Sequence, residues 1–315
     1  MNLDITKAYE SLDRNYTISA LYHLNEDNKI VLKDSEEYHC RFCGQTKDKT
    51  HFKKKAHVLS RFIGNTKLFS TYECDECNER VFSPIESSFA EYMKLFHTMT
   101  RVSGYRGVPS YKPDMQGKSR IDVEQGELSI KAFEGEAPIV EIDEDNHSVV
   151  VKGRRSYVPQ NVFKALVKMA VSIMPESELV NIPETLNWLQ GKKIVGKFIA
   201  NFRMYGGMNR LPFITALLMK RKENHTDKVP AYIFMLAYDY FAFTIPIPFC
   251  ELDRCYIGED ISMTVIPTPF DFHSSPITYK WIDFSSPDKV SNEQCSVSMH
   301  FERMEQRDIR DVEEK

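Results

Sequence analysis

The 315-residue sequence has no apolar run approaching the ~18 residues needed to cross a bilayer, and its opening, MNLDITKAYE, lacks the h-region of a secretory signal. The expectation is a cytoplasmic protein with no membrane partner. A basic excess is missing too: the net charge is -4, so the chain as a whole does not carry the field of a nucleic-acid-binding domain, and any such surface must be local. No internal repeat or low-complexity tract is present, which excludes solenoids and composition-driven disorder. Seven cysteines in a reducing compartment argue against a disulfide framework and for metal binding wherever their spacing supports it.

What is present is ordinary globular material. The 42% apolar and 27% charged content can build a core, and the length suits about two domains. Residues 1–37 read as a preamble packed on the following module, with a short helix around 17–24 and a strand-like run at 29–32. Residues 38–100 hold two cysteine pairs, a basic loop and a helix; Ser83 is expected to cap that helix, with Pro84 in its first turn and Glu86 completing a capping box. Residues 101–122, rich in Gly, Pro and Ser, read as a linker. Beyond them, runs at 128–133, 139–142 and 148–152 suggest an antiparallel meander, and a long amphipathic helix over 159–174 and a shorter one over 183–189 follow. Strand-rich sequence then continues to about residue 302, including the almost wholly apolar AYIFMLAY at 231–238. Residues 303–315 form a charged tail. The fold class expected is α+β: a small metal-braced module and a larger domain with a mainly antiparallel sheet.

Chemistry concentrates between residues 38 and 96. Cys40-x-x-Cys43 and Cys74-x-x-Cys77 are two knuckles whose spacing lets four thiolates take the corners of a tetrahedron around a structural zinc, and four protein ligands leave no position for a catalytic water. Over residues 38–70 eight basic residues face the single acid Asp48. Among them Lys53, Lys54, Lys55 and Arg61 are candidates for sequence-independent phosphate contacts. Cys250, Cys255 and Cys295 lack knuckle spacing and read as buried thiols; Arg203 reads as a surface residue.

The order His57, Gly64-Asn65, Cys74-x-x-Cys77-Asn78, within AHVLSRFIGNTKLF and ECDECNERVF, resembles the zinc-containing branch of the HNH endonucleases, in which paired CxxC knuckles brace a ββα-metal fold. The resemblance covers about sixty residues. It implies that His57 is the general base, that Asn65 braces the loop and orients the histidine, and that Asn78 helps hold a catalytic Mg2+ or another divalent cation. Ala56 stands where many HNH proteins have a metal-binding aspartate, so a carboxylate must come from elsewhere; Glu73, Asp75 and Glu86 are the candidates. Such roles suit the reaction, because phosphodiester hydrolysis needs a placed base and a cation beside the leaving oxygen.

By this resemblance the function expected is a metal-dependent endonuclease acting on DNA. Its shape is similar to bacterial anti-phage defence effectors, with residues 123–302 supplying recognition, oligomerisation or control by an activating ligand or protein. Two alternatives stay open. One is a restriction-like enzyme reading modified DNA, against which the six acids and one lysine over residues 128–145 count. The other is a non-catalytic zinc-ribbon nucleic-acid-binding protein.

Overall fold

A computed structural model describes residues 4–25, 28–35, 37–114, 116–207, 209–272 and 277–300. The expected tail at 303–315 lies outside them. Helix α1 (Ile5–Asn15) starts at Asp4, whose carboxylate accepts from the Lys7 backbone N–H at 3.1 Å, as N-cap aspartates do. It runs directly into strand β1 (Tyr16–Leu24), where a helix was expected. The β-branched and aromatic residues of YTISALYHL suit a strand. Its partner β10 (Leu211–Arg221) lies far along the chain, with Thr17 opposite Lys220, so tertiary pairing decided the element. The N-terminal segment therefore forms the edge of the largest sheet.

That sheet has six strands in the order β1-β10-β11-β12-β9-β13, with β9 (Ile199–Tyr205), β11 (Tyr232–Asp239), β12 (Phe241–Pro246) and β13 (Ile277–Asp283) all joined antiparallel. Strand β11 is buried on both faces, and its alternation divides two cores. Tyr232, Phe234 and Leu236 face the main core, while Ile233, Met235 and Ala237 pack with Leu12 of α1. Helices α2 (Ser83–Thr100) and α3 (Pro159–Ile173) supply much of the main core. The architecture is α+β with mainly antiparallel sheets.

Strands β5 (Arg120–Glu124) and β6 (Glu127–Lys131) make a hairpin, while β7 (Val140–Asp143), β8 (Ser148–Tyr157) and the late strand β14 (Val290–His300) make a sheet of order β14-β8-β7. The expected meander is thus divided, because β6 pairs back to β5 and β8 finds its second partner at the end of the described chain. A third small sheet joins β2 (Ile30–Leu32), β4 (Leu68–Ser70) and β3 (Ala56–His57), with β2 parallel and β3 antiparallel to the central β4. One apolar core runs without a break from Cys40 through α2 and α3 to Val297, and the stretch 101–122 adds Val102, Tyr111 and Ile121 to it. Among the described residues no helix is long and apolar enough to cross a membrane.

Two expectations about single residues are corrected. Cys255 is exposed, although Cys250 is buried. Arg203 is fully buried, because its guanidinium meets Asp271 Oδ2 at 2.5 Å and the Ile266 carbonyl at 2.8 Å.

Candidate metal centre and active site

Residues Cys40 and Cys43 flank a turn closed by Gly44 N–H donating to the Cys40 carbonyl at 2.8 Å, and Cys74 and Cys77 flank the start of a helical segment. The four Sγ atoms all lie within 4.8 Å of one another. The Cys40–Cys77 and Cys43–Cys74 separations are each 3.8 Å. A tetrahedron with metal–sulfur distances of about 2.3 Å has edges of about 3.8 Å, so the cluster has the dimensions of a zinc site. Donors converge on the sulfurs: Cys74 N–H on Cys40 Sγ at 3.5 Å, Cys77 N–H on Cys74 Sγ at 3.4 Å, and Gln190 Nε2, at the end of helix α4 (Pro183–Leu189), on Cys77 Sγ at 3.4 Å. Burial pushes the Cys43 thiol up to about 12, and Cys77 is raised by its bond to Cys40 and by burial. A cation at the centre would let all four ionise together.

Beside this cluster, β3 and β4 form a short hairpin with His57 opposite Phe69. The half-buried imidazole lies against the Phe69 ring, centroids 4.7 Å apart, and its Nδ1 is buried without a hydrogen-bond partner among the described residues. Burial first, and then the charges of Arg61 and Lys168, hold His57 down to about 4. The ring is therefore neutral near pH 7 and can accept a proton. The loop of the hairpin is closed by the buried Asn65 carboxamide. Its Nδ2 donates to the Leu59 and Leu68 carbonyls at 2.7 and 2.9 Å, and its Oδ1 accepts from the Lys67 and Leu68 N–H groups at 3.0 and 2.9 Å. All of its donors and acceptors serve the backbone, which fixes the turn that follows His57.

After Cys77 the chain enters a π-helical segment, Cys77–Phe82, that continues into α2. The capping box expected at Ser83 does not form. Ser83 is already helical, with no side-chain cap bond, because helical geometry begins upstream at Asp75. Glu86 is thereby released from a capping role. It lines an open groove of about 430 Å3 together with Arg61, Asn78, Glu79, Ser87 and Tyr105.

The candidate carboxylates have three different fates. Asp75 is a loop clasp, accepting from the backbone N–H groups of Lys53 and Lys54 at 3.2 and 3.1 Å. Glu73 is fully buried and faces Lys168 Nζ at 3.1 Å. Glu86 remains 26% exposed at the groove, 3.7 Å from the same ammonium. Lys53, Lys54 and Lys55 line a neighbouring depression with Lys33, Tyr38 and Phe52. Lys54 connects the two through its ion pair with Glu79, at 2.5 Å.

Lys168, on α3, was not singled out by sequence reading, yet it sits at the centre. Its ammonium, 1% exposed, donates to the His57 carbonyl at 2.8 Å and faces both Glu73 and Glu86. Burial opposes its charge, but the two carboxylates outweigh burial and raise it above its usual range. Glu73 is pushed up to about 7 by burial, against the pull of Lys168. A signal existed: VFKALVKMAV is largely apolar, so its two lysines need buried polar partners, which Lys164 finds at the Trp188 carbonyl at 2.7 Å and Lys168 at Glu73 and Glu86. The C-terminal end of α3 is held to the knuckles as well, since Arg41 Nη1 donates to the Val171 and Met174 carbonyls at 2.7 and 3.0 Å.

Compared with known families, residues 40–92 match the model described as HNH endonuclease. With its four-cysteine cluster, able to bind a structural zinc, this segment is an HNH endonuclease module with CxxC knuckles. No curated protein and no solved structure matches the chain.

Proposed function

We propose that the chain is a metal-dependent endonuclease that hydrolyses DNA phosphodiester bonds at the groove beside His57. The observation that carries this reading is a groove holding Arg61, Asn78 and Glu86, whose Arg61 bonds to the Asn65 loop and acts by its charge on the neutral His57, all inside the segment that matches the HNH family. His57 takes the proton of the attacking water. Asn65 holds the loop that aims the imidazole. Arg61, with Lys53 to Lys55 in the adjoining depression, pairs with backbone phosphates. Glu86 and Asn78 are the oxygen donors available for a divalent cation; one carboxylate and one amide suit an ion such as Mg2+ that keeps most of its waters and also takes phosphate oxygens. When bound, that cation supplies stabilisation of the charge growing on the leaving oxygen. Among the described residues the cysteines are the only cluster of three or more His, Cys, Asp or Glu that could hold a metal, which fits so lean a donor set.

Residues 123–302 are proposed to supply recognition or control, in an anti-phage effector whose sensing part governs the module. The contacts of α3 support this assignment, since Lys168 and the helix end under Arg41 reach the module from beyond residue 123. The rival reading, a non-catalytic zinc-ribbon binder, is favoured by Ala56 and by the engagement of Glu73 with Lys168. The two separate on metal dependence. Glu86→Ala and Asn78→Ala should each raise the Mg2+ or Mn2+ concentration required for DNA cleavage without changing zinc content. Unchanged metal dependence in both variants would count against the assigned donors.

A further inference from the structure

The stretch 101–122 reads in sequence as a linker, but its residue Tyr105 lines the candidate active-site groove. The ring is 80% exposed, an unusual place for so large an aromatic surface. It is held there by a tight turn. Gly104 N–H donates to the Gly107 carbonyl at 3.0 Å, leaving Tyr105 and Arg106 at the tip. The turn presses on the module at Gly104, where a Cβ would sit 3.3 Å from Phe62 Cα. Phe62 is itself fixed between Phe89 and His97, with centroids at 5.0 and 5.7 Å. On the far side of the turn, Thr98 Oγ1 donates to the Pro109 carbonyl at 2.8 Å and Tyr111 pairs with Ile121. The exposed ring is thus mounted on packed supports.

Its neighbour is Arg61, whose guanidinium carbon lies 5.9 Å from the ring centroid. The same guanidinium donates to the Asn65 carbonyl at 3.2 Å, and its charge is felt at His57. One cation therefore spans from the candidate base to the aromatic face. A phosphate paired with Arg61 would place the adjoining base beside Tyr105.

We infer that Tyr105 is a stacking platform for an unpaired base next to the scissile phosphate, so that the substrate class is single-stranded or locally unpaired DNA rather than continuous duplex. This rests on the nuclease reading given above. In a duplex both faces of each base are covered by its neighbours, and an aromatic side chain stacks on a base only where the strand is single or the base is turned out. Tyr105 is a specificity-determining residue on this account, and the chemistry at His57 does not require its hydroxyl.

The test is binding, read by fluorescence anisotropy of the full chain without added divalent metal, on a mixed-sequence single-stranded DNA and on the same sequence as duplex. The wild type should bind the single strand more tightly. Tyr105→Ala should weaken single-strand binding by about 5-fold to 150-fold, the range for one stacked base, and leave duplex binding unchanged. Tyr105→Phe should stay within about twofold of wild type, since a phenyl face stacks equally well. Equal loss on both substrates, or no loss from Tyr105→Ala, overturns the platform. Where binding overturns the platform, plasmid cleavage by that same Tyr105→Ala protein in Mg2+ or Mn2+ leaves the nuclease reading standing. A wild type that binds neither substrate and cleaves nothing overturns both.

Discussion

Replacing Lys168 by methionine removes the only ammonium that, among the described residues, faces the Glu73 carboxylate, whose other route to neutrality is taking up a proton. Glu73 is 0% exposed in its side chain, and neither of its oxygens has a hydrogen-bond partner of good geometry among the described residues. Breaking a buried ion pair from one side costs about 3–5 kcal/mol. Glu73, pushed up to about 7 by burial, is mostly protonated at pH 5.5, so less of the ion pair remains to be broken and the loss there should be smaller than at pH 7.5. Urea unfolding of Lys168→Met at pH 7.5 and pH 5.5 measures both losses. Adding Glu73→Gln to Lys168→Met removes the orphaned charge and should recover most of the loss, because a buried pair replaced from both sides is often close to neutral. A single variant that loses under about 1 kcal/mol, or whose loss is the same at both pH values, refutes the reasoning.

Zinc removal by a strong chelator should lower the melting temperature and release one zinc per chain, and Cys74→Ser should reproduce the effect; full stability after verified zinc loss would contradict a structural role for the cluster. His97 is fully buried, shares a 2.9 Å contact between its Nε2 and Tyr238 Oη, and is pushed down to about 3 by burial. The unfolded chain binds that proton below about pH 6.5 and the folded chain does not, so His97 costs nothing above pH 6.5 and about 2 kcal/mol by pH 5. His97→Gln should flatten that part of the stability–pH curve in urea titrations; an unchanged slope would sink the assignment. For the same reason of sign, the acid limb of any DNA cleavage profile should fall near pH 4, where His57 takes its proton, and a limb near pH 6.5 would show a base other than a buried His57.

The zinc cluster was legible because its information is local. Each knuckle places its own two sulfurs through a short backbone turn, while the 3.8 Å Cys40–Cys77 and Cys43–Cys74 edges come from the two knuckles being brought face to face. Helices α3 and α4 were legible for a similar reason, each opening on a proline and carrying an apolar face. Strand β1 was not. Its residues fit a strand, but the partner that completes it begins at Leu211, and the helix signal belonged to the segment before it, capped by Asp4. Ser83 misled in the opposite sense: a well-formed start signal lies inside a helix already under way. The buried ammonium at Lys168 and the groove-lining ring at Tyr105 depend on how α3 and the 101–122 stretch fold against the module, and no spacing rule within either segment reports that contact.

The central claim is that His57 takes the proton in phosphodiester hydrolysis. Its most direct measurement is the conversion of supercoiled plasmid to nicked or linear DNA in Mg2+ or Mn2+, by wild type and by His57→Ala at matched zinc content. The account predicts cleavage by the wild type and a rate at least about 100-fold lower in the variant, the usual loss for a missing general base. Cleavage at equal rates by both proteins would contradict it.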